Sequence, residues 1–89
     1  GYVMKLKPQM ITHSMDGKEV MVSTDASVFS GIVTGNRTSA FIMEQLKNDV
    51  TPEQIKQAMF ERFDAPYEVI SKDVDDVIGK LRGIGVIEE

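Results

Sequence analysis

The chain has 89 residues, 42% of them apolar and 27% charged, with a net charge of −4 and no cysteine. That length suits one small domain with a modest core and no room for a large catalytic cleft. The missing cysteines exclude disulfides, thiolate nucleophiles and thiolate metal sites, and the acidic balance works against the cationic face that nucleic-acid binding needs.

Gly1, Tyr2 and Val3 ahead of Met4 read as an added remnant, with residues 4–89 as the natural domain. No signal-peptide pattern or membrane-length apolar run is present, and a cytoplasmic protein is the expectation. "MITHSM" and "KEVMVS" flank Asp16–Gly17, a strong hairpin signal, and predict strands over 10–15 and 18–23. In the second strand Val20 and Val22 alternate with Met21 and Ser23, so one face can be buried and the other wetted. After the polar turn "TDAS", residues 29–34 (FSGIVT) read as a third strand, shortened or bulged at Gly31 and ended by Gly35–Asn36.

Asn36 is a candidate N-cap for a helix over 37–47, with Ile42, Met43 and Leu46 at helical spacing. "TPEQ" then opens a second helix over 52–62: Thr51 caps, Pro52 suits the first helical position and Gln54 completes a capping box. Its inward stripe is Ile55, Ala58, Met59 and Phe63. A third helix over 67–82 carries Ile70, Val74, Val77, Ile78 and Leu81 on one face, and Gly83 and Gly85 end it. Val86 and Ile87 form an apolar tail that should fold back onto the core. The order βββααα gives an α+β fold, a three-stranded antiparallel sheet followed by three helices, with the last two resembling a winged helix-turn-helix.

Chemistry-bearing patterns are scarce. His13 has no partner at metal-ligand spacing, and Asp64, Glu68, Asp73, Asp75 and Asp76 fit a solvated helix face. Six methionines fit packing better than a pliable binding surface. No nucleophile, base pair or metal cluster suggests catalysis, so neither an enzyme nor a bound cofactor or metal is expected. Two features are less bland. Residues 29–34 contain neither charge nor proline, so as an edge strand they would be poorly defended against pairing. On the third helix Val69, Asp73, Val77, Lys80 and Ile84 form a seam beside the core stripe, more apolar than a solvated flank requires.

Three segments together resemble the PqqD-like family, the peptide-modification chaperones also called RiPP recognition elements. "FSGIVTGNRTSAFI" is similar to the family's F-x-G, two apolar residues and T-x-N before a helix. "TPEQIKQAMFERFD" is similar to its second helix with an aromatic and Asp at the end, and "KDVDDVIGKLRGIGVIEE" to its D-V…L…G-apolar-apolar close. Gly35, where Leu is usual, and Gln45, where an apolar residue is common, depart from the pattern. The resemblance implies a non-catalytic adaptor that binds the leader of a ribosomally made precursor peptide by β-strand addition. It would present that peptide to a separate modifying enzyme, expected to be a radical SAM protein.

Joined to the residue reading, the expected peptide site is Phe29, Ser30, Gly31, Ile32, Val33 and Thr34 on the strand, with Val69, Asp73, Val77 and Lys80 on the third helix. A free strand edge also admits a homodimer. Neither nucleic acid nor membrane is an expected partner. The competing readings are a winged-helix DNA-binding regulator, which the carboxylates of the third helix disfavour, and a catalytic subunit, for which no residues speak.

Overall fold

The computed structural model describes residues 2–16, 18–28 and 31–89. The chain runs β1 (Lys5–Leu6), β2 (Met10–Met15), β3 (Lys18–Ser23), β4 (Ile32–Gly35), α1 (Arg37–Gln45), α2 (Pro52–Arg62), α3 (Tyr67–Gly83) and β5 (Ile87–Glu88). Strands β2, β3 and β4 form an antiparallel sheet in that order. Met15 pairs with Lys18 across the hairpin, and Asp16 at φ 50° adopts the left-handed backbone that a two-residue loop of this twist requires. In the following turn the Asp25 carboxylate accepts from both the amide and the hydroxyl of Ser27, which holds its pKa below the ordinary aspartate value.

The alternation in β3 resolves with Met21 inward, fully buried, and Val20 and Val22 on the half-exposed outer face. Glu19, on the same inward side as Met21, is 4% exposed and accepts from the hydroxyl of Ser14, its cross-strand partner, at 2.8 Å. A buried carboxylate needs such a donor.

Both predicted caps form. Asn36 Oδ1 accepts from the Ser39 amide at 2.9 Å. Thr51 Oγ1 accepts from the Gln54 amide at 3.1 Å, and Gln54 Oε1 accepts from the Thr51 amide at 2.9 Å, closing the capping box. Thr51→Ala leaves that Gln54 amide without its intramolecular acceptor and should cost ~1 kcal/mol, read as a lower urea midpoint at unchanged m-value.

The end of α3 is a Schellman motif. Gly85, at φ 80°, donates to the Arg82 carbonyl and Val86 donates to that of Leu81. Gly83 is the last helical residue rather than the stop, because the left-handed position falls at Gly85. Likewise α1 ends at Gln45, two residues short of Lys47, and β4 extends through Gly35.

The tail does fold back. β5 pairs antiparallel with β1, a two-residue strand that the sequence reading missed because "KLKP" is too short to show alternation. Met4 also exchanges two backbone hydrogen bonds with Val50. The segment around β1 thereby stitches the ends of α1 and α3 together, and Met4 is part of the core. The remaining core is the inner stripes of the helices: Ile42, Met43 and Leu46, then Ile55 and Met59, then Ile70, Val74, Ile78 and Leu81. Val77 packs on the flank of this cluster and stays partly exposed.

Candidate peptide-binding site

The three-stranded sheet places β4 at an edge, paired to β3 on one side only among the described residues. Its register is fixed by Val22 opposite Ile32, Met21 opposite Val33, Val20 opposite Thr34 and Glu19 opposite Gly35. Val33 packs against the core, which anchors the strand without closing its outer edge. Gly31 is an exposed bend at φ 140°, just before the strand. Of the expected strand residues, Phe29 and Ser30 lie outside the described residues; Ile32, Val33 and Thr34 are in β4 and Gly31 is not.

At the end of β4 the chain turns sharply into α1. A Cβ on Gly35 would stand 2.7 Å from the Cβ of Ser39 and 2.9 Å from the Met43 methyl, so its missing side chain lets helix and strand touch. The approach brings the first turn of α1 against α3. Between them lies a recess of about 210 Å³ lined by Asn36, Thr38 and Ser39 on one side and by Asp73, Asp76, Val77 and Lys80 on the other.

Three of the four expected α3 residues, Asp73, Val77 and Lys80, therefore share one recess, whose lining begins at Asn36, one residue after β4. Val69 is half exposed on α3 but lies outside the recess lining. The sequence reading missed Asp76; its spacing three residues after Asp73 was the available signal, since residues at i and i+3 are neighbours on a helix. Asn36, Thr38 and Ser39 were missed because only the tertiary approach at Gly35 brings them to α3.

Val77 supplies apolar surface to the recess, and three charges surround it. Asp76 pairs with Lys72 at 3.1 Å, which raises the lysine pKa through that hydrogen bond and the charge of Asp76. Lys80 is exposed and has no ion pair among the described residues. The other acidic residues do not converge: Asp75 bridges to Lys56 of α2 at 3.0 Å, and no group of three His, Cys, Asp or Glu side chains could hold a metal ion among the described residues. No described helix is long and apolar enough to cross a membrane. What the site offers is an open backbone edge, an apolar contact and rim charges, the parts used to add a strand and read its side chains.

Solved structures that match across nearly the whole chain include two peptide complexes. TbiB1 in complex with the TbiA(beta) leader peptide superposes with a TM-score of 0.79 at 15% identity, covering 94% of each chain. Lasso peptide synthetase B1 complexed with the leader peptide gives a TM-score of 0.77 at 16% identity, covering 97% of this chain and 98% of that one. At such identity the likeness is one of fold. Among curated proteins no sequence match is significant. The family model of coenzyme PQQ synthesis protein D matches residues 18–87, from the start of β3 to β5, and the chain belongs to the PqqD family.

Proposed function

We propose that this protein is a non-catalytic adaptor that binds the leader segment of a ribosomally synthesised precursor peptide along β4 and presents it to a separate modifying enzyme. The observation that carries this reading is the uncharged open edge of β4, followed directly in the chain by Asn36, the first residue of the Val77 recess. A fourth strand added to β4 would satisfy its outward backbone groups, while an apolar leader side chain rests on Val77 and an acidic one reaches Lys80. Both structural relatives were solved with a leader peptide bound, which supports this choice of ligand. The partner enzyme is expected to be a radical SAM protein, and the setting the cytoplasm. Residues 4–89 form the binding domain, and a second copy pairing through the same edge would compete with the leader. The exposed carboxylates Glu68, Asp73, Asp75 and Asp76 on α3 oppose a DNA-binding role.

Amide-shift mapping with the cognate leader tests the reading. Shifts should gather on residues 31–35 and 69–80. Lys80→Glu should weaken binding by ~1 kcal/mol or more, with the loss shrinking at high salt because a rim charge is screened. Shifts confined to residues 52–62, with β4 silent, would sink it.

A further inference from the structure

A second, larger depression lies on the other flank of α1. It has a volume of about 490 Å³ and lies between the hairpin, α1 and the end of α2, with Lys18, Glu19, Arg37, Phe41, Arg62 and Phe63 in its lining. Helix α1 thus borders two concavities: Thr38 and Ser39 line the recess shared with α3, and Arg37, Ala40 and Phe41 line this cleft. We propose that the cleft is a second docking site, taking an acidic segment of a partner protein while β4 remains free for the leader.

Charge carries the argument. Of the ten Lys and Arg residues, Lys47, Lys56, Lys72 and Arg82 are held in ion pairs, which leaves six without one among the described residues. Three of those six, Lys18, Arg37 and Arg62, converge on this cleft, and all three are exposed. The two carboxylates that share the lining do not neutralise them. Glu44 pairs with Lys47 at 2.7 Å, and Glu19 is withdrawn from solvent and accepts from Ser14. Three cations thus face two carboxylates, each already engaged by another partner, and the cleft is positive in a chain whose net charge is −4.

Arg37 also breaks a local rule. It occupies the first turn of α1, which holds no acidic residue and where the helix dipole disfavours a cation. A residue that works against its own helix is expected where function demands it. Arg37 and Arg62 can each grip a carboxylate in bidentate fashion. Between them the rings of Phe41 and Phe63 meet edge to face at 5.5 Å, both partly exposed, and provide an apolar floor. Gln45, one of the two departures from the family pattern, adds an amide to the same wall. The fitting ligand is therefore a short segment of Asp or Glu residues around one aliphatic side chain.

The test titrates the full chain, without leader, with a blocked Asp-Glu-Leu-Glu-Asp peptide and with its Asn/Gln counterpart. The acidic peptide should shift the amides of Lys18, Arg37, Phe41 and Phe63, leave residues 31–35 unmoved, and bind less well as salt rises. Arg37→Gln with Arg62→Gln should lower that affinity about tenfold while the urea midpoint changes little, since the dipole relief at the start of α1 offsets the dipole loss at the end of α2. Three results would overturn the proposal: no shifts at millimolar peptide, equal binding of the neutral peptide, or responses at Lys5, Lys7 and Lys80 as large as those in the cleft. Because no leader is present, none of these outcomes bears on leader binding by β4.

Discussion

Leu81→Ala is expected to lower the free energy of unfolding by about 2–4 kcal/mol, from lost transfer energy plus the cavity left behind. Leu81 is 3% exposed in the shared core, and its carbonyl accepts from the Val86 amide in the motif that ends α3. That geometry makes a full collapse of the cavity difficult. The chain after Gly85 is held in β5 against β1, so Leu6 and Val86, which share the core cluster with Leu81, sit on or beside a fixed strand pair rather than on a loose tail. Val74→Ala, at a position with no exposure about two turns earlier on the same face, should behave similarly, at the lower end of the range because fewer carbons are removed. Urea titrations at unchanged m-value would check both. A neutral Leu81→Ala would mean that the inward face of α3 is wrongly phased.

The three helices and the hairpin were legible because their signals are local. The "TPEQ" capping box, the Asp-Gly turn and the Ile70–Val74–Ile78–Leu81 spacing each need no knowledge of the rest of the chain. The β1–β5 pair was not legible. Lys5–Leu6 and Ile87–Glu88 are two residues each, and their pairing closes a loop of more than eighty residues. The candidate site divides along the same line. Asp73, Val77 and Lys80 could be placed from helical periodicity on one element, whereas Asn36, Thr38 and Ser39 enter the recess only through the packing of α1 on β4. The face of β3 was ambiguous for a related reason. Val20 and Val22 look like core and Glu19 does not, yet Ser14 supplies the donor that lets Glu19 stay inside.

Gly35→Ala is the variant that should disturb fold and site together. Gly35 has no positive φ, so its backbone would accept a side chain, and a glycine-to-alanine change in that situation commonly stabilises by about 0.4–1 kcal/mol through the unfolded chain. Here sterics oppose that gain. The Met43 methyl, 2.9 Å from the new Cβ, is the end of a flexible side chain and can swing aside; the Ser39 Cβ, at 2.7 Å, is one bond from the helix backbone and cannot. Relief requires α1 to move away from β4, an overpacking cost of about 1–3 kcal/mol that should outweigh the entropic gain. Since Asn36, Thr38 and Ser39 form one wall of the recess, the same shift should weaken leader binding, which a core change such as Leu81→Ala should not do in the folded fraction. Ser39→Gly removes the obstructing Cβ. In that background Gly35→Ala should cost less by more than about 0.5 kcal/mol, a coupling that a double-mutant cycle measures directly. Stabilisation by Gly35→Ala alone would show that strand and helix do not approach as closely as described, and would detach the recess from the end of β4.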